Sequence, residues 1–237
     1  VTSTKPAPLA VVFVEAKNRT CVRYFATVAR SFVALALAAA LALGAAPSRR
    51  ADAIVISELA TTYIATMSRM IALELREARE LPANEQAAVA GRQIYDVAGL
   101  VAILLDANVE QLRVVWSQAS LTRKIALFTA LSQLGVPYKL NADAPFIALD
   151  CSALTRFAWA QAGVDIERGS AEQYARSGRV SRDESKVGDL VWYPGHIMLS
   201  LGVPDLIVHA RSGQRSVEIH RIDSTRIGWM RFVSPLD

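Results

Sequence analysis

Cysteine and histidine are scarce in this 237-residue chain: two cysteines, Cys21 and Cys151, and three histidines, His196, His209 and His220. Two cysteines exclude a disulfide framework. Cys151 and three histidines with no short-spaced pair make a poor zinc site, so no metal and no cofactor is expected. Charged residues are only 20% and apolar residues 52%, which excludes wholesale disorder and leaves material for a well-buried core. No internal repeat or low-complexity stretch appears beyond the Ala/Leu run of the leader. Excess positive charge is lacking where a nucleic acid would need it. Residues 1–53 carry seven of the 26 Lys and Arg and two of the 22 Asp and Glu, leaving 19 bases against 20 acids in the rest. The basic pI belongs to the leader, and no nucleic-acid partner is expected for the body.

What is present begins with that leader. Residues 32–46 form an apolar run preceded by Arg23 and Arg30 and followed by Ala51-Asp52-Ala53, a small-x-small cleavage pattern. This is the three-part arrangement of a secretory signal. The run is shorter than the ~20 apolar residues of a membrane span, so a membrane association is expected only if the leader stays uncleaved. Cys21 precedes the run and is not placed for lipidation. The first residue is Val, and a translation start near Val22 would leave a leader of ordinary length. Once residues 1–53 leave, Cys151 is the single thiol of an exported chain: either buried filler or a reactive group.

Residues 54–119 read as a helical region. Leu59, Tyr63, Met67, Met70 and Leu73 recur at helical spacing between Ser57 and Glu80. Asn84 is a candidate cap for a second helix from Glu85 to Leu105, with Val89, Ile94, Val97, Val101 and Leu104 as its apolar stripe. No chemical motif lies here. From Ser120 the character changes. A helix carries Leu121, Ile125, Phe128 and Leu131, with Gly135 and Pro137 beyond its end. A loop to Leu149 and a helix from Cys151 to Ala162 follow. Strands are expected at Asp189–Tyr193, His196–Leu201, Leu206–Ala210, Val217–Ile222 and Trp229–Val233. Helices followed by short strands with tight turns predict an α+β domain with an antiparallel sheet over residues 120–237.

Three points carry chemistry. Asp150 is a good N-cap, which puts Cys151 in the first turn of its helix, where exposed N–H groups and the helix dipole favour the nucleophilic thiolate. His196 opens a strand after Pro194-Gly195, and His209 lies within the next strand. A hairpin closed by Gly202-Val203-Pro204-Asp205 pairs Leu201 with Leu206 and Met198 with His209. That register sets His196 one diagonal step from His209 on the same face, within reach at ~7–8 Å. A one-residue slip would part them. A thiol, a His base and a polar group to orient that base compose a cysteine-peptidase triad. His220 fits no role in it.

The blocks Leu134-Gly135-Val136-Pro137-Tyr138, Asp150-Cys151-Ser152-Ala153-Leu154, Gly188-Asp189-Leu190-Val191, Gly195-His196-Ile197 through Leu201-Gly202, and Ile207-Val208-His209-Ala210 span about 100 residues. In their order and spacing the chain resembles the NlpC/p60 family of cell-wall cysteine peptidases. The resemblance implies a small papain-like α+β domain that cuts peptidoglycan stem peptides, commonly between D-glutamate and the diamino acid. It implies Cys151 as nucleophile, His196 as general base and His209 as its orienting residue. It further implies Tyr138 as an oxyanion donor, Asp150 and Ser152 as substrate contacts, and, more loosely, Ser170. Two departures stand out. Ala153 replaces a usual Gly, and Leu140-Asn141-Ala142 replaces an aromatic-Gly-Gly wall of the groove.

The reading at this point is an exported, monomeric peptidoglycan endopeptidase of the cell envelope. The alternatives are a non-catalytic or autoinhibited peptidoglycan-binding module, with residues 54–119 laid across the groove, or a related thiol amidase or acyltransferase.

Overall fold

The computed structural model describes residues 49–86, 88–213 and 215–236. The apolar run at 32–46 and Cys21 lie outside them. The chain divides between Leu59 and Ala60; the fold described below is that of Ala60–Asp237, into which the first helix continues.

Helix α1 (Arg49–Glu77) ends in a 3-10 turn, Ala78–Glu80. The helix expected over 85–105 is two helices, α2 (Ala83–Gln86) and α3 (Gly91–Leu104). Ala90 adopts a left-handed conformation (φ 55°) between them. The local turn bonds Ala88 N–H to Glu85 O and Val89 N–H to Gln86 O replace the α-helical pattern. The expected stripe survives the break: Ile94, Val97 and Val101 are buried. Helix α4 (Val109–Gln118) starts at Asn108, whose side chain accepts from Gln111 N–H (2.8 Å). Helix α5 (Leu121–Leu131) starts in the same way at Ser120. These caps satisfy N–H groups that no helical carbonyl can reach.

The loop expected to Leu149 contains a small hairpin, β1 (Asp143–Ala144) with β2 (Ala148–Leu149). Helix α6 (Cys151–Gln161) follows, then a short helix α7 (Ser170–Arg176). Next come β3 (Gly178–Val180), β4 (Val187–Tyr193), β5 (His196–Leu201), β6 (Leu206–Ala210), β7 (Val217–Arg221) and β8 (Arg231–Ser234). The strands make one antiparallel sheet in the order β3-β8-β4-β5-β6-β7. The expected last strand starts late. Asp223 accepts from Thr225 N–H (2.8 Å) and caps a 3-10 turn, Ser224–Trp229, which leaves Trp229 exposed and out of the sheet. The fold is α+β, a helical N-terminal region followed by a six-stranded antiparallel sheet with helices, as expected.

The sheet alternates as its period of two requires. Ile197, Leu199, Leu201, Leu206, Val208 and Ala210 enter the main core with Leu154, Ala158 and Trp159 of α6. Met198 and Ile207, at alternate positions, join a smaller cluster with Val191, Met230 and Phe232. Ile64, Met67, Ile71 and Leu75 of α1, with Leu112 and Trp116 of α4, belong to the same main core. Trp116 is fully buried; its indole N–H donates to Leu201 O (2.8 Å), and its ring meets Phe128 edge-on at 5.4 Å.

Candidate active site

Cys151 is the first residue of α6 because Asp150 caps that helix: Oδ1 accepts from Ala153 N–H at 2.8 Å. The thiol is unpaired and 7% exposed. It sits near β5, where the backbone N–H of Ile197 favours the thiolate. Burial is the largest influence on the thiol and pushes its pKa up, outweighing the Ile197, Ser152 and Cys151 N–H groups that favour the thiolate. The helix start alone would favour a thiolate; the burial of this one reverses the expectation.

The candidate base comes from the β4–β5 hairpin. Tyr193 pairs with His196 across the two-residue turn Pro194-Gly195. Gly195 takes φ +88°, open to glycine without a Cβ penalty. Beyond His196, β5 and β6 pair Leu199 with Val208 and Ser200 with Ile207. This is the register expected from the sequence, and it brings His196 Nε2 to 2.8 Å from His209 Nδ1. The turn that sets it has Gly202 at φ +84°, where a Cβ would lie 2.5 Å from a Val187 methyl and 2.7 Å from one of Val115. Burial pulls His196 down to about 4. Burial, and then the charge of His196, pull His209 down to about 3. Thiol and imidazole therefore rest as a neutral pair around neutral pH. With Nε2 of His196 engaged by His209, Nδ1 is the ring nitrogen left for the thiol proton.

A cavity of about 400 Å³ opens on Cys151. It is lined by Tyr138, Leu140, Asn141, Asp150, Ser152, Arg168, Gly169, Ser170 and Gly195. Thus Tyr138, Asp150, Cys151, Ser152 and Ser170 converge, and His196 follows Gly195 at the rim. Leu140 and Asn141, which depart from the family pattern, nonetheless form a wall. Burial, then the negative charge of Cys151 and Asp150, raises the Tyr138 phenol. It stays protonated and able to donate.

Two residues bonded to the candidate site escaped the sequence reading. Arg168 reaches Asp150 Oδ1 (3.0 Å) and Oδ2 (2.8 Å) and donates to Ser152 Oγ (3.0 Å). Burial raises Asp150, but Arg168 and the Ala153 N–H outweigh it and hold the carboxyl below the usual range. Asp150 and Ser152 therefore enter the cleft as parts of one network with Arg168. Gln173 is buried at its back; it accepts from Thr155 Oγ1 (2.7 Å) and donates to Ser152 O (2.9 Å). Both residues lie in the 168–173 stretch around Ser170, and the sequence does not state which separate segments they bond. Among the described residues no cluster of His, Cys, Asp and Glu is arranged to hold a metal ion. Among the described residues of 60–119, none lines the cleft.

Residues 135–230 match the family model described as NlpC/P60 family, and this segment is an NlpC/P60 domain. The chain is 39% identical over 87 residues to "Peptidoglycan endopeptidase RipB" of Mycobacterium tuberculosis, covering 30% of this chain and 36% of that protein. It is 34% identical over 103 residues to "Dipeptidyl-peptidase 6" of Lysinibacillus sphaericus, covering 43% and 37%. The chain thus spans little more than a third of these relatives' length. Among solved structures it is similar to the P60 domain of a M. avium subspecies paratuberculosis antigen, at 25% identity and TM-score 0.44, over 49% of this chain and 96% of that one.

Proposed function

We propose that the protein is an exported cysteine endopeptidase of the cell envelope, acting as a monomer on peptidoglycan stem peptides at the bond between D-glutamate and the diamino acid. The observation that carries this reading is the buried Cys151 at a capped helix start, facing a strand whose His196 is held 2.8 Å from His209, within an NlpC/P60 domain. Cell-wall endopeptidases among the relatives supply the substrate class.

The chemistry follows from the resting neutral pair. As sulfur attacks the scissile carbonyl, its proton passes to Nδ1 of His196, so no buried charge precedes the attack. The developing oxyanion takes hydrogen bonds from the backbone N–H of Cys151 and the Tyr138 hydroxyl. Collapse to the thioester expels the amine, which leaves with the proton from His196. Water then hydrolyses the thioester, with His196 again as base. Arg168, half-exposed and already turned toward Asp150 and Ser152, presents the cation of the cleft to an acidic stem peptide.

The test is turnover of purified peptidoglycan by the full chain, with and without Cys151→Ala, and products read by mass spectrometry. The expected result is release of peptides ending in D-glutamate by the native protein alone. Cleavage by the Cys151→Ala variant would overturn the nucleophile. Sedimentation of both proteins with the wall, without cleavage by either, would favour a binding module instead.

A further inference from the structure

The proton relay has a second end. For Nδ1 of His196 to accept the thiol proton, its Nε2 must carry hydrogen and donate to Nδ1 of His209 at 2.8 Å. His209 then carries its own hydrogen on Nε2. That atom is buried and has no hydrogen-bond partner among the described residues, an uncommon condition for a buried polar group. What faces it is a carboxylate: Glu218 Oε1 lies 3.6 Å away, too far for a hydrogen bond but close for a charge. The β6–β7 register pairs His209 directly with Glu218, so the sheet itself places them together. Glu218 is held there by Arg211 Nη1 on Oε1 (2.9 Å) and by Arg215 Nη2 and Nε on Oε2 (2.8 and 3.1 Å). The remaining titratable neighbour is His220, its ring 5.9 Å from that of His209.

We propose that Glu218 is a positioning residue: its arginine-clamped carboxylate selects the Nε2–H tautomer of His209 and thereby aims the lone pair of His196 Nδ1 at the thiol of Cys151. The physical reason is a choice between two neutral tautomers. An N–H pointed at the carboxylate is attracted. A nitrogen lone pair pointed at it is repelled. With the first tautomer fixed, Nδ1 of His209 can only accept, so His196 can only donate from Nε2. When His196 takes the thiol proton, the same negative charge supports the imidazolium. Glu218 contacts neither substrate nor sulfur and acts wholly through His209.

The inference rests on the cysteine-peptidase reading for its consequence in catalysis, but its structural core is testable without substrate. Nitrogen-15 NMR of the imidazole rings in the full chain reads the tautomers directly. The native protein is expected to show His209 as Nε2–H and His196 as Nε2–H. Glu218→Gln, which keeps the shape and removes the charge, should lose the single tautomer at His209. Glu218→Asp, which keeps the charge, should retain it. In turnover, Glu218→Gln should lower kcat on the order of tenfold, part of the ~10²–10⁴ that a general base supplies, with KM little changed. Its low-pH limb should move to lower pH, because the imidazolium has lost a neighbouring anion, and Glu218→Asp should recover most of the rate. An unchanged tautomer and an unchanged pH limb in Glu218→Gln would overturn the proposal, even with a lowered melting temperature, since that alone marks a structural role. Correct tautomer behaviour in a protein that cuts no peptidoglycan would leave the relay standing and sink the endopeptidase reading.

Discussion

Burial decides the charge state of the candidate nucleophile and base. A thiol at a helix N-terminus gains from the dipole and the exposed N–H groups, yet the Cys151 site costs it more than it gains. His196 and His209, 8% and 7% exposed, are held near pH 4 and 3 against the ordinary 6.5. An unfolded chain takes up protons on both rings as pH falls through about 6.5, while the folded chain refuses them until about pH 4 and below. Stability should therefore be full above pH 6.5 and fall as pH drops toward 4. Each ring contributes at most about 1.4 kcal/mol per pH unit in that window. Urea unfolding at several pH values checks this. His209→Gln should flatten the slope, and an equal slope in that variant would show the ring is not held neutral. Turnover should rise with pH through about 4 and then stay level toward neutrality. His209→Ala should cost less activity than His196→Ala, since in the proposed mechanism His209 orients and His196 accepts the proton.

At the scale of elements, the cleft depends on how α6 meets the sheet. The Gly188-Asp189 block, part of the family pattern, serves this contact. Gly188 takes φ +86° and accepts the Trp159 indole N–H at its carbonyl (3.1 Å). Asp189 is 1% exposed and pairs with Arg123 of α5 at 2.7 Å. Arg123 also reaches Val187 O (2.7 Å) and Ser234 Oγ (3.2 Å), and Asp189 Oδ2 accepts from Lys186 N–H (2.7 Å). One ion pair thus ties α5 to β4 and β8. Removing one partner leaves a buried charge uncompensated, so Asp189→Ala should cost about 3–5 kcal/mol, read as a shift in the urea midpoint. A loss below about 1 kcal/mol, the size of a surface pair, would show that water reaches Arg123.

At the scale of the whole molecule, the helical region is part of the core that supports the site. Trp116, Leu112 and the α1 residues Ile64, Met67, Ile71 and Leu75 are nearly or fully buried in one cluster with Phe128, Leu201 and Trp159. Arg76 bonds the Gln161 side chain, and Arg79 donates to Gln161 O (2.8 Å), at the end of α6 remote from Cys151. A fragment of residues 120–237 should therefore be less stable than the full chain and prone to aggregate, with Phe128 and Leu201 stripped of their cover. Thermal unfolding and size-exclusion chromatography of the fragment check this. A well-folded fragment with raised activity would restore the reading of 54–119 as an inhibitory segment.

Residues close in sequence carried much of this protein's design legibly. The Asp150 cap, the start of α6 at Cys151, and the β5–β6 register that brings His196 to His209 all follow from short-range rules. A cap needs a partner three residues on, and a tight turn with a period of two needs only its own hairpin. The same locality explains two misread elements. The left-handed Ala90 and the Asp223-capped turn before Arg231 replaced a continuous helix and a longer strand, because single backbone dihedrals leave little trace in an apolar pattern. Only the tertiary structure decided the rest. Arg168 on Asp150 and Ser152, the anchoring of Trp116 at Leu201, and the neutral state of thiol and imidazole depend on contacts between separate segments. Burial and buried charge are properties of what surrounds a group, and the chain neighbours of a residue do not state them.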